Sequence, residues 1–84
     1  MNSIIYGGVK YNQIRHAIFC KKCYETIESK FDHDFKFCKC NSIGIDGGIS
    51  KGNRILGNKL DMELRSMYCA KINGKKIWLP PIYY

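Results

Sequence analysis

Cys20-Lys21-Lys22-Cys23 and, fourteen residues later, Cys38-Lys39-Cys40 are the stretches on which the fold turns. A two-residue spacer places two thiolates on a tight turn from which both sulfurs can face one ion, at Zn–S near ~2.3 Å. The one-residue spacer of the second pair is a shorter bite, still open to the same ion. Four thiolates satisfy tetrahedral zinc. Four cysteines also ligate iron–sulfur clusters, but these spacers suit a single ion better. The expected cofactor is therefore structural Zn2+, held by Cys20, Cys23, Cys38 and Cys40. A catalytic zinc would need an open position, which four thiolates do not leave. Lys21, Lys22 and Lys39 lie within the two turns, where positive charge favours thiolate over thiol.

Between the cysteine pairs, Tyr24 to Phe31 alternates, Asp32-His33-Asp34 is polar, and Phe35 and Phe37 return on one face. The pattern predicts a β-hairpin clamped at both ends by the metal. His33 then sits at its tip, five residues before Cys38. An extended run of that length spans about 17 Å, so His33 is expected to stay away from the ion, as a solvated turn residue or a partner contact. Before the first pair, Gln13 to Phe19 has strand composition with Ile14, His16 and Ile18 on one side. His16 is an ordinary strand residue on this pattern, with a fifth ligand or a nucleic-acid contact as the alternatives. Ile4-Ile5-Tyr6, Gly7-Gly8 and Val9-Lys10-Tyr11 read as a short hairpin turned by the glycine pair.

Downstream, Asp46-Gly47 between apolar residues signals a tight turn. A phosphate-binding loop would need a Gly-Lys-Ser/Thr that is absent. Ser50 to Gly57 reads as a loop. Asn58 is an N-cap candidate for a short helix over 58–68, with Leu60, Leu64, Met67 and Tyr68 at helical spacing and Asp61 paired to Arg65. Strand alternation through Leu60, Met62 and Leu64 competes with it. Tyr68–Ile72, Asn73-Gly74 and Lys75–Leu79 form a hairpin with a type I′ turn. Its register puts Tyr68, Ala70, Ile72, Ile77 and Leu79 on a core face. Cys69, Lys71, Lys76 and Trp78 take the other face, which can stack on and neutralise nucleic acid; packing of Trp78 on another element is the alternative. Pro80-Pro81 ends the strand, before an aromatic Ile82-Tyr83-Tyr84 terminus.

The 84 residues fit one small domain: a zinc-ribbon core over 15–57, then the helix, hairpin and tail over 58–84. The fold class is small and mainly β, a zinc ribbon with a C-terminal β-hairpin and one short helix. A core this size is marginal alone and is commonly reinforced by a metal or disulfides. No apolar run approaches the ~18 residues of a membrane span, and the amino terminus is no signal peptide. A cytoplasmic setting is expected, in which paired cysteines are metal ligands and the fifth cysteine, Cys69, is unremarkable. The formal charge of +7 is uneven. Residues 1–22 carry net +4, residues 23–48 net −2 and residues 49–84 net +5. Basic flanks around an acidic hairpin favour an acidic protein surface, a nucleoprotein complex, or DNA or RNA directly. Lys71, Lys76, Trp78 and His33 are the candidate partner-binding residues. No Ser/His/Asp set, carboxylate pair or cofactor fingerprint is visible, so an enzyme is not expected.

Cys20-Lys-Lys-Cys23, Thr26-Ile-Glu-Ser-Lys30, His33-Asp-Phe35, Cys38-x-Cys40 and Ile45-Asp-Gly-Gly48 together resemble a family of short zinc-ribbon-like proteins of bacteria and bacteriophages with no assigned function. The resemblance covers roughly residues 15–68. It implies a four-cysteine ribbon, a mobile-element origin in a bacterial host cell and no particular reaction. With that origin, a small module without an active site suits an anti-defence inhibitor of a host nucleoprotein machine such as a CRISPR effector, or a nucleic-acid-binding ribbon. In that family a glycine follows each cysteine turn; here Tyr24 and Asn41 stand there. Asn tolerates a left-handed backbone and Tyr does so poorly, so the departure matters more at the first turn.

Overall fold

Gly7 and Gly8 take φ of +58° and +77° and join β1 (Ser3–Tyr6) to β2 (Val9–Cys20), with Tyr6 opposite Val9, as the glycine pair predicts. This computed structural model describes residues 2–79; the expected strand end at Pro80-Pro81 and the aromatic terminus lie outside them. At twelve residues β2 is the longest strand, and the larger sheet is assembled on it. Its first half pairs with β1 and with β8 (Met67–Ile72), which in turn pairs with β9 (Lys75–Trp78). Its second half pairs with β3 (Thr26–Ser29) and β7 (Met62–Leu64). A β-bulge between Gln13 and Arg15 separates the halves. A smaller antiparallel sheet holds β4 (Lys36–Phe37), β5 (Ile43–Asp46) and β6 (Arg54–Gly57).

The protein is thus small and mainly β, as expected, but three local expectations change. The 24–31 and 35–37 runs do not pair with each other. β3 pairs with β2, and β4 pairs with β5, so each cysteine turn is itself the turn of a hairpin. The expected loop over 50–57 contains β6; the loop proper is 47–53, because Asp46 lies opposite Arg54. The expected helix is a single 3-10 turn, Lys59–Asp61. Asn58 caps it, its side chain accepting from Leu60 N at 2.9 Å. The chain then turns extended because Met62 and Leu64 can pair with Cys20 and Ile18 of β2. Tertiary pairing overrides a weak helix propensity. Arg65 pairs with Glu63 and not with Asp61, which meets Lys22 instead.

Apolar burial is split between two clusters. One surrounds the cysteines and contains Ile18, Ile27, Ile43, Ile45 and Met62; Ile18, Ile43 and Ile45 are completely buried. Each fully buried aliphatic side chain contributes about 1.5–3 kcal/mol. The other comprises Tyr11, Ala70 and Leu79, with Ile4, Val9, Tyr68 and Ile77 against it. The C-terminal hairpin has the predicted register, Ile72 opposite Lys75 across Asn73-Gly74, both at positive φ. Its expected core face holds except at Ile72, which is exposed. No helix among the described residues is long and apolar enough to cross a membrane.

Candidate metal centre

The ladder of β2 and β3 runs directly into the first cysteine turn. Cys20 N donates to Glu25 O and Tyr24 N to Cys20 O. The second turn repeats this with Cys38 N on Ile43 O and Asn41 N on Cys38 O. Closing these bonds requires a left-handed residue just after each pair, and Tyr24 and Asn41 have φ of 61° and 60°. Tyr24 and Asn41 therefore both adopt the left-handed backbone that glycine takes most readily. Two contacts tie the turns to their surroundings: Lys39 N donates to Glu25 Oε1 at 2.7 Å, and Lys21 N to Asp61 O at 2.8 Å.

These turns bring the sulfurs of Cys20, Cys23, Cys38 and Cys40 within 4.8 Å of one another, and all four cysteines are free thiols. Cys40 Sγ is 3.6 Å from the sulfurs of both Cys20 and Cys38. A tetrahedron with metal–sulfur bonds of ~2.3 Å has edges of about 3.8 Å, so the cluster has the size of one four-coordinate site and could hold a metal ion. The thiols are not equivalent. Burial pushes Cys20 up to about 11. At Cys23 burial also pushes upward, but the N–H groups of Cys40 and Glu25 outweigh it and the thiol is lowered. The Ser42 hydroxyl and N–H bring Cys40 down to about 6; Cys40 Sγ and Ser42 Oγ are 3.1 Å apart. Within the cluster Cys40 is thus the more acidic thiol and Cys20 the less acidic one.

Cys69 lies outside this cluster, on β8 opposite Trp78, as its register predicts. His16 lies outside it as well. It is buried, with Nε2 3.1 Å from Arg54 O and Nδ1 3.4 Å from Gln13 Nε2. Since a carbonyl can only accept, Nε2 carries the proton and Nδ1 accepts from Gln13. His33 is exposed at φ 64° in the turn between β3 and β4 and lines an open depression with Asp32, Asp46 and Arg54. Lys71, Lys76 and Trp78 come together elsewhere: Lys71 is opposite Lys76, whose Nζ is 5.8 Å from the Trp78 ring centre.

The remaining motif residues have structural work. Ser29 is buried; its hydroxyl donates to Asp34 O at 2.7 Å and accepts from Gly48 N at 2.8 Å. Asp34 Oδ2 accepts from Lys30 N. Gly48, at positive φ, lies so close to Phe31 that a Cβ would come within 2.9 Å of its backbone. Asn53 links Gly48 O to Gln13 Oε1, which also accepts from Asn2. Sequence reasoning missed this buried polar chain, since hydrogen bonds between residues as distant as Gln13 and Asn53 leave no local pattern.

A family model described as "Domain of unknown function (DUF7695)" matches residues 6–57. The match spans more than half of the chain, and the chain belongs to that family. It takes in both cysteine turns and the polar chain from Gln13 to Asn53, and it ends before β7, β8 and β9. No curated protein and no solved structure matches the chain.

Proposed function

We propose that this member of the DUF7695 family is a non-catalytic binding module stapled by one structural Zn2+. The observation that carries this is the four-sulfur cluster at tetrahedral spacing. Zinc is favoured over iron by hairpin turns that close on a single ion, and a cytoplasmic setting by the reduced thiols such a site requires. The non-catalytic reading is supported by the donor set itself, which completes the coordination sphere with no position left for water or substrate.

The module's partner has a surface of negative potential, an acidic protein or a nucleoprotein complex, engaged through Lys71, Lys76 and Trp78. What supports this is the net charge of +7 and the exposure of those three side chains on one hairpin face. A finer version, a phage-encoded inhibitor of a host defence complex in a bacterial cytoplasm, adds only the family resemblance of the sequence. Elemental analysis should find one zinc per chain, and chelation should unfold the protein, since zinc supplies on the order of 10–16 kcal/mol in small modules. Absence of metal from protein prepared under reducing conditions overturns the reading. Affinity capture with tagged protein, compared with Trp78→Ala, then identifies the partner.

A further inference from the structure

The sheet register extends the Lys71–Trp78 face well beyond its hairpin. Residues directly opposite one another in a sheet share a face. Lys10 is opposite Ile5, and Asn12 lies between Ser3 and Cys69. Beyond the bulge, Arg15 is opposite Met67. One face of the β1–β2–β8–β9 sheet therefore carries Lys10, Arg15, Lys71 and Lys76 around Met67 and Trp78, with no carboxylate among these strands. The first carboxylates come farther along β2, where Glu28 pairs with Arg15 and Glu63 with Arg65. Lys10, Lys71 and Lys76 have no ion pair among the described residues.

Two features distinguish this face from an ordinary solvated one. Like charges directly opposite in a sheet are destabilising, and Lys71 and Lys76 are held in that position. In addition, Trp78, with 46% of its surface exposed, borders an open groove of about 490 Å³ lined by Arg15, Arg65, Met67 and Leu79. An indole beside two guanidinium groups offers a flat base a stacking surface, with cations at hand for the flanking phosphates. A duplex hides its base faces, whereas a single strand presents both base and phosphate.

We propose that this face binds single-stranded nucleic acid, with a base stacked on Trp78 and phosphates on Lys10, Arg15, Lys71 and Lys76. This rests on the reading of the chain as a zinc-stapled binding module and identifies the anionic component of its partner. Trp78 is the single tryptophan of the sequence, so its emission reports on the site directly. The zinc-loaded full chain should be titrated at low salt with oligo(dT) and oligo(U) of about twelve nucleotides, with a duplex of equal length and with polyglutamate.

Single strands should quench Trp78 and bind with a slope of log K on log salt of about −2 to −3, at roughly −0.7 per phosphate contact. The Lys71→Ala/Lys76→Ala double variant should bring the slope about 1.4 closer to zero. Trp78→Ala should bind about 5- to 100-fold more weakly, with Trp78→Phe in between. All three variants count only with zinc content and circular dichroism unchanged; if Trp78→Ala fails to fold, Trp78→Phe and the lysine pair carry the test. Equal affinity for duplex or polyglutamate overturns the proposal, as does single-strand binding with unchanged Trp78 emission. Absence of oligonucleotide binding by a chain holding one zinc overturns this inference alone, whereas absence of zinc overturns the module reading beneath it.

Discussion

Replacing Ser29 with alanine removes one oxygen and leaves two buried backbone groups without a partner. The hydroxyl donates to Asp34 O and accepts from Gly48 N, and the side chain is 1% exposed. Each orphaned group costs about 1–3 kcal/mol when water cannot replace the lost partner. Relaxation is limited at Gly48, where even an added Cβ would come within 2.9 Å of the Phe31 backbone. The expected loss is therefore about 2–6 kcal/mol, against a total of about 4–12 kcal/mol for a domain of this length. At about 4–8 °C per kcal/mol, the melting temperature should fall by at least about 8 °C.

The measurement is urea unfolding at saturating zinc, followed by circular dichroism and Trp78 emission so that coincident curves establish two-state behaviour. Ser29 bonds to no cysteine, so zinc stoichiometry should stay at one. Thr26→Ala, an exposed change on the same strand, serves as control and should cost under about 0.5 kcal/mol. If Ser29→Ala costs no more than Thr26→Ala, the polar chain does not hold the two sheets together and the motif residues need another explanation.

Three further outcomes are expected. Cys69→Ser should keep one zinc and fold normally, while Cys40→Ser should lose it; the reverse pattern in elemental analysis would show a wrong ligand set. Tyr24→Val should destabilise by roughly 2 kcal/mol, because a β-branched residue is poorly tolerated at positive φ. Tyr24→Gly should remain within about 1 kcal/mol of wild type, relief of strain being offset by backbone entropy and the lost ring contact with Phe19; similar urea midpoints for Val and Gly would refute left-handed strain at this turn. The Lys30 N–H, and then Lys36, hold the Asp34 carboxyl below its usual range. Its contribution is complete above its unfolded pKa of ~3.9 and is lost as pH falls through the lower folded value. The difference in urea midpoint between wild type and Asp34→Asn should therefore be constant from pH 8 to about 5; a gap that closes within that window rejects the assignment.

The cysteine cluster was legible because its signal is covalent and local: a spacer of one or two residues already confines two sulfurs to one side of a turn. The glycine-paired and Asn-Gly hairpins were legible for the same reason. The strand partners of the ribbon were not. The run from Tyr24 to Phe37 looks like a hairpin because two apolar stretches flank a polar turn. Yet Cys20-Lys21-Lys22-Cys23 is also a hairpin turn, and its ladder engages β3 first. The Asp34 carboxylate on Lys30 N and the left-handed His33 then swing β4 out to meet β5. β6 escaped notice because its exposed residues show no alternation.

The groove beside Trp78 depends on a feature still less visible in sequence. Without a bulge, Arg15 would alternate onto the same side as Gln13 and point toward the core. The bulge leaves Ile14 exposed and lets Gln13 and His16, three residues apart, share the buried side, while Arg15 crosses to the open one. Alternation therefore groups Ile14 with His16 and Ile18 although only the last two are buried. Just beyond the bulge β2 is anchored from across the sheet: Ser66 lies between β7 and β8, and its hydroxyl accepts from Ala17 N while Arg65 N donates to Ala17 O. Those contacts join positions 49 and 48 apart in sequence, so the backbone two residues beyond Arg15 is anchored by residues that no local pattern connects to it. Ser66→Ala should accordingly weaken a ligand that uses Arg15 while leaving zinc bound, a result that repositioning, and not loss of the metal scaffold, produces.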